Sequence, residues 1–110
     1  MAPIMKTQKE DDRRRDERVP VRMRGRFSSM REWRSLCRID NVSRGGVHLQ
    51  TETDLDEGAA IWLRLPGMEP RPGRVVWADS LMAGCQFDDP LDPAELERLV
   101  AQRDSRTALD

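Results

Sequence analysis

The sequence predicts an all-β fold: a small six-stranded antiparallel β-barrel, closed or split, with a short C-terminal α-helix. Six short segments alternate apolar and polar residues with a period of two, which is typical of half-buried strands. Clusters of Gly, Pro, Asn, Asp and Ser separate these segments, and a helix-start pattern follows the last one. A barrel is favoured because closing a small antiparallel sheet removes its exposed edges.

Three of the predicted strands lie in the first half of the chain. The first runs from Val19 to about Met30, and its outward-facing row consists of Arg22, Arg24 and Arg26. The second spans Trp33–Asp40 and the third spans Val47–Thr51. In each, the apolar residues occupy alternate positions, so we expect one side of each strand to face the interior of the barrel.

The other three strands lie in the second half. They are predicted at Ala59–Leu65, Arg74–Ser80 and Leu81–Asp88. Between the first two, Pro66–Gly73 contains three prolines and two glycines, which indicates a loop.

The helix is predicted from its first turn. Asp92 is a suitable N-cap, Pro93 fits the first helical position, and Glu95 follows the cap by three residues. Apolar residues then recur at helical spacing as far as about Arg103: Leu96, Leu99 and Val100.

A chain of 110 residues predicts one domain. We expect residues 1–12 to be a disordered leader and residues 104–110 to be a tail. The domain between them divides into an arm, a barrel and a helix, at 13–18, 19–88 and 92–103. No apolar run approaches the ~18 residues of a membrane span, and no signal peptide is visible, so we expect a cytoplasmic protein.

The charge distribution suggests an anionic partner. The formal net charge is only −1, but residues 13–38 carry ten arginines against three acidic residues, whereas residues 88–110 are acidic. Arginine supplies 17 of the 19 basic residues. Its planar guanidinium suits bidentate binding of phosphates and guanine edges.

Two segments concentrate the recognition chemistry. The first is the arginine-rich arm Arg13–Arg18, directly before the first strand. The second is the turn Asn41–Gly46, which carries an amide, a hydroxyl, a guanidinium and two glycines. A simple hairpin needs only two turn residues, so this six-residue turn is richer than a chain reversal requires.

Together these segments resemble the PilZ family, in which an Arg-x-x-x-Arg arm precedes an Asp/Asn-x-Ser-x-x-Gly turn. Arg14 and Arg18 match the arm, and Asn41, Ser43 and Gly46 match the turn. The resemblance extends from about residue 13 to about residue 100 and implies a β-barrel receptor for the bacterial second messenger cyclic di-GMP. Outside the defining positions, the neighbouring arginines are expected auxiliaries: Arg13, Arg15 and Arg44.

The ligand that this resemblance implies would suit these residues. Guanine O6 and N7 accept a bidentate pair from arginine, and guanidinium planes stack on purines. The two arginines spaced i, i+4 could each serve a phosphate or a guanine edge. We expect Asn41 and Ser43 to make short, directional contacts, and Gly46 to let the backbone pass without a Cβ.

Other kinds of site are disfavoured. His48 has no Cys, Asp or Glu neighbours at metal-ligand spacing, and we expect it to face outward beside the turn. Ser43 has no general base that the sequence identifies, so we expect neither enzymatic activity nor a metal or cofactor. Cys37 and Cys85 are expected to be reduced, partly buried thiols. The three tryptophans are expected in the core, with at most one bordering a ligand.

Three functions stay open. The leading one is a stand-alone cyclic di-GMP receptor that relays its signal through arm ordering to an unidentified downstream protein. The second is a PilZ-like adaptor that acts by protein contact without nucleotide. The third is a small nucleic-acid-binding barrel that uses the outward arginine row. This third function is opposed by the near-neutral net charge and the 5% aromatic content, so no nucleic-acid polymer is expected as a partner.

Overall fold

The computed structural model describes residues 17–30 and 34–102, which form six strands followed by one helix. The strands are β1 (Val19–Ser28), β2 (Ser35–Val42), β3 (Gly46–Gln50), β4 (Ala60–Arg64), β5 (Arg71–Asp79) and β6 (Met82–Phe87), and the helix is α1 (Pro93–Ala101). The predicted leader at 1–12, the arm residues 13–16 and the tail at 104–110 lie outside the described residues.

The six strands close into an antiparallel barrel in the order β1-β2-β3-β6-β5-β4, and β4 pairs back with β1. This confirms the predicted fold class and selects the closed form. Every strand thus has two hydrogen-bonded neighbours, so no edge is left to template pairing with another chain. Among the described residues, no helix is long and apolar enough to cross a membrane.

The barrel interior is built from the alternate apolar residues that the sequence predicts. Every strand contributes at least one fully buried side chain: for example Phe27, Ile39, Leu49, Leu63, Val75 and Phe87. The outward row of β1, with Arg22, Arg24 and Arg26, is exposed. The period-two prediction therefore holds on both faces of the sheet.

The structure differs from the sequence-based expectation at the ends of strands and at one tryptophan. β5 begins at Arg71, three residues before the predicted start, although the segment contains Pro72 and Gly73. Gly73 permits this extension, because a Cβ there would lie 2.5 Å from the carbonyl oxygen of Gln86 on β6. β2 extends to Val42, so Asn41 and Val42 of the predicted turn are paired strand residues opposite His48 and Val47. The tryptophan is Trp62, which was expected in the core but is 55% exposed on the outer side of β4.

The helix begins as predicted and packs onto the barrel. The Asp92 side chain accepts the backbone N–H of Glu95, and the Glu95 side chain accepts the backbone N–H of Asp92, which completes a capping box. Leu91 and Leu99 are fully buried in the same core as the barrel residues. Arg71 of β5 forms an ion pair with Glu95 at 3.3 Å, so a charged contact also joins the helix to the barrel.

Cys37 and Cys85 are free thiols inside this core. Burial raises the pKa of both thiols to about 12. Both side chains are therefore protonated at neutral pH and act as small apolar core residues.

Candidate functional site

The turn between β2 and β3 is organised by the hydroxyl of Ser43. This side chain is only 2% exposed. Its oxygen accepts the backbone N–H groups of Gly45 and Gly46, each at 3.2 Å, and its O–H donates to the Gly46 carbonyl at 3.4 Å. The Ser43 N–H reaches the same carbonyl at 2.9 Å. The hydroxyl thus holds the turn together from inside, and its direct contact with a ligand stays a prediction.

Gly46 is required by the close approach of β3 to β6. Gly46 lies opposite Gln86 in the register of these strands. A Cβ on Gly46 would overlap the carbonyl oxygen of Cys85, which belongs to the backbone and cannot rotate away. Only glycine therefore fits this position without moving a strand of the barrel.

The middle of the turn is hydrogen-bonded to the end of β6 and to the segment before α1. The Arg44 guanidinium donates from Nε to the Leu91 carbonyl at 2.8 Å, and the Leu91 N–H donates to the Arg44 carbonyl at 2.7 Å. The Gly45 carbonyl accepts the N–H of Phe87 at the end of β6. Arg44, expected as a ligand auxiliary, therefore already has a structural partner.

The end of the arm meets the start of the turn. Val19 pairs with Val42 and Pro20 pairs with Asn41 in the β1–β2 ladder, so the residue before β1 lies beside the end of β2. Arg18 uses this placement: its Nη1 donates to Asn41 Oδ1 at 3.0 Å, across 23 positions of sequence. Two predicted site residues from separate motifs are therefore in direct contact.

A second hydrogen bond orients the Asn41 amide. Its Nδ2 lies 3.1 Å from Nδ1 of His48, the opposite residue on β3. Since Oδ1 faces Arg18 and an amide nitrogen can only donate, Nδ1 of His48 must be the acceptor and carry no proton. The His48 ring in turn packs edge-on against Trp77, with 5.2 Å between ring centroids.

The protonation state of His48 fits this arrangement. Burial, and next the positive charge of Arg18, lower the pKa of His48 below its ordinary value of 6.5, while Asp40 opposes the shift. The neutral imidazole that Asn41 requires is therefore the favoured form at neutral pH.

The structure brings together four of the five residues that match the family pattern: Arg18, Asn41, Ser43 and Gly46. The fifth, Arg14, lies outside the described residues, as do the auxiliaries Arg13 and Arg15. The sequence prediction put His48 beside the turn but did not identify its bond to Asn41 or its contact with Trp77. Gly84 is the residue from which the position of Trp77 could have been predicted, because a Cβ on Gly84 would overlap the Trp77 indole. A glycine within the predicted sixth strand indicates such a close approach.

Elsewhere, the described part of the chain offers a shallow cavity of about 180 Å³ near the β5–β6 hairpin, lined by residues such as Thr51, Asp54 and Ser80. It lies at the far end of β3 from the turn and contains none of the predicted site residues. No group of three or more metal-ligating side chains occurs among the described residues.

Comparison with known proteins agrees with this geometry. The sequence matches the family model of the PilZ domain over residues 12–102. A comparison with curated proteins gives no match. The PilZ domain is known as a cyclic di-GMP-binding family, and the matched region includes the arm, the whole barrel and the helix. The chain therefore belongs to the PilZ family.

Proposed function

We propose that this PilZ protein is a non-enzymatic receptor for cyclic di-GMP. The observation that carries the proposal is the hydrogen bond from Arg18 to Asn41, which joins the two halves of the binding motif. The arm carries arginines whose guanidinium groups suit the ligand, and the turn has a shape fixed by its own hydrogen bonds. The arm and the turn form the two sides of one site. Because the ligand is a bacterial second messenger, we further propose a bacterial cytoplasmic protein.

The proposed roles divide between contact and support. Arg14 and Arg18 bind the phosphates or the Hoogsteen edges of the guanines, by charge-assisted hydrogen bonds worth about 1.5–3 kcal/mol each. Asn41 keeps one lone pair and one N–H beyond its bonds to Arg18 and His48, and these remaining groups read the ligand. Ser43 and Gly46 hold the turn in the shape that presents Asn41.

The proposed output is a change in the arm. The arm continues directly into β1, so ligand contacts at Arg14 and Arg18 fix the chain against the barrel mouth. A partner protein would then recognise the repositioned arm, or the helix α1 if the arm reaches it. The turn already touches the segment before α1 through Arg44 and Leu91, which gives the site a short physical connection to the helix.

Calorimetric titration of the full chain with cyclic di-GMP tests the proposal. We expect saturable binding, and poor competition by cyclic di-AMP, because adenine lacks the O6 acceptor that arginine pairs with in guanine. Equal competition by the two dinucleotides would remove base reading and leave phosphate binding alone. The absence of binding would contradict the receptor function and favour the adaptor that works without nucleotide.

A further inference from the structure

A cluster of arginines covers the outer side of three adjacent strands. We name it the arginine face and define it by six exposed residues of β1, β2 and β4: Arg24, Arg26, Leu36, Arg38, Trp62 and Arg64. None of the six is acidic. The Pro20–Asn41 pair borders the site turn at 43–46, and the six residues lie further along the strands, away from that turn. The arginine face is therefore separate from the turn.

The strand register brings these arginines directly opposite one another. Arg26 lies at the centre, between Leu36 on β2 and Arg64 on β4, and Arg24 lies opposite Arg38 in the adjacent row. Directly opposite residues have Cβ atoms about 5 Å apart, and like charges there destabilise a sheet. Within the described part of the chain, Arg26, Arg38 and Arg64 form no ion pair. Folding alone gives no reason for Arg26 and Arg64 to lie opposite each other.

Two large apolar side chains border the same arginines. Leu36 is 60% exposed beside Arg26, and Trp62 is 55% exposed two positions before Arg64 on β4. Arginine and tryptophan are enriched among the residues that dominate the energy of protein interfaces, and the neighbouring contacts exclude water from them. Leu36 and Trp62 beside Arg26 and Arg64 therefore match the composition of the centre of a protein interface.

We propose that the arginine face is a docking surface for an acidic segment of another protein, whose carboxylates pair with the arginines and whose apolar side chains cover Trp62 and Leu36. The residues that support the proposal belong to β1, β2 and β4, and the proposal does not depend on nucleotide binding. A nucleic-acid strand fits less well, because single-strand binders stack successive bases on several aromatic rings, and the described residues of this surface include one such ring. The acidic stretch around Asp88, Asp89 and Asp92 would also repel a long polyanion.

Site-specific photo-crosslinking in the cells that naturally produce the protein tests the proposal. In the test variant of the full chain, Leu36 is replaced by p-benzoylphenylalanine (Leu36→p-benzoylphenylalanine). The control variant is Val76→p-benzoylphenylalanine, because Val76 is an exposed residue of β5 outside the arginine face. We expect a protein adduct at position 36 and not at position 76. The crosslinked segment of the partner, identified by mass spectrometry, should be rich in Asp and Glu.

Charge reversal then separates recognition from incidental contact. The double variant Arg26→Glu/Arg64→Glu keeps like charges opposite each other, so its fold is perturbed little relative to wild type. It should lower the adduct yield about tenfold or more, whereas Arg74→Glu on β5 should leave the yield within about twofold. Changing two acidic residues of the partner segment to arginine should restore the adduct with the double variant.

Several results would overturn the proposal. These are the absence of any adduct at position 36, an adduct that survives the double reversal, and an adduct whose partner is a second copy of the chain, a nucleic acid or a lipid. Thermal melting of each variant confirms that a lost adduct does not come from lost folding.

Discussion

Arg18 is the arm residue whose contact with the turn is defined at the atomic level. Its guanidinium reaches Asn41 on an exposed part of the surface, where one hydrogen bond contributes little to folding. The same group is positioned to bind a phosphate or a guanine once a ligand enters. We therefore expect its removal to affect binding far more than stability.

The first prediction follows from this difference. Arg18→Ala should abolish cyclic di-GMP binding or weaken it about 100-fold or more, since two charge-assisted hydrogen bonds are lost. The free energy of unfolding without ligand should change by less than about 0.5 kcal/mol. Calorimetry and chemical denaturation measure the two quantities. Arg22→Ala, which removes the next exposed arginine on β1, is the matched control and should bind like wild type.

The same measurement applies to Arg14, the other arginine of the arm motif. Arg14→Ala should also lose binding, because the proposed site needs both guanidinium groups. If both single variants bind cyclic di-GMP like wild type, the assignment of the arm arginines as ligand anchors is wrong.

His48 makes the turn sensitive to pH. Its folded-state pKa lies below the ordinary value of 6.5, so the unfolded chain binds a proton more readily than the folded one. The stabilising contribution is therefore complete above about pH 6.5 and is lost as the pH falls below that value. Protonation of Nδ1 also replaces the acceptor that Asn41 needs with a donor, which turns the amide away from its bond to Arg18.

This gives a pH prediction with a matched variant. Between pH 7.5 and pH 5.5 the wild-type protein should lose stability, measured by urea denaturation, and should lose affinity for cyclic di-GMP. His48→Asn keeps an acceptor near Asn41 but does not titrate, so its pH-dependent loss over this range should be smaller on both measures. Identical pH profiles for the two proteins would mean that His48 does not control the orientation of Asn41.

The β2–β3 turn depends on one buried hydroxyl. Ser43→Ala would leave the N–H groups of Gly45 and Gly46 without their acceptor, and an unsatisfied buried donor costs about 1–3 kcal/mol. We expect the free energy of unfolding to fall by about that amount, and cyclic di-GMP binding to weaken because Asn41 is presented less rigidly. Ser35→Ala, a half-buried serine on β2, should change stability by less than about 0.5 kcal/mol. Equal stability of the two variants in urea denaturation would exclude the internal role of Ser43.

The strands were predictable from sequence because burial on one face imposes a period of two. The ends of the strands were less predictable, because they depend on which strand lies alongside in the folded barrel. β5 extends through Pro72 and Gly73 because β6 approaches closely enough to need a residue without a Cβ, and no local pattern in the loop reveals that approach. Trp62 was assigned to the core by residue type, yet the alternation of β4 correctly predicts its outward position.

The site was predictable as a set of residues and not as a set of contacts. Motif spacing identified Arg18, Asn41, Ser43 and Gly46, and the turn chemistry of Ser and Gly explains part of their arrangement. The bonds from Arg44 to Leu91 and from Asn41 to His48 were not predictable, because they join residues through the closed barrel register. The pairing of β2 with β3 brings Asn41 to His48, and the pairing of β3 with β6 brings Arg44 to the segment that contains Leu91.

Taken as a whole, the molecule combines a closed barrel with polar contacts at one end. The barrel interior is continuous from β1 to the helix, so its strands share one core. The contacts that join Arg18, Asn41 and His48 are exposed or half-buried hydrogen bonds outside that core. A ligand at this end can therefore order the arm while the barrel changes little.

Hydrogen exchange with and without cyclic di-GMP tests this mechanism. The segment before β1 has too few apolar residues to fold by itself, so we expect rapid exchange there without ligand. Added ligand should protect the amides of residues 14–19 and 41–46, since both sides of the site become fixed. Amides hydrogen-bonded between strands, such as those that join β4 and β5, should change little and serve as the internal reference. Ligand-induced protection spread evenly over the barrel, or an arm already protected without ligand, would instead indicate a pre-formed site and rule out arm ordering as the output.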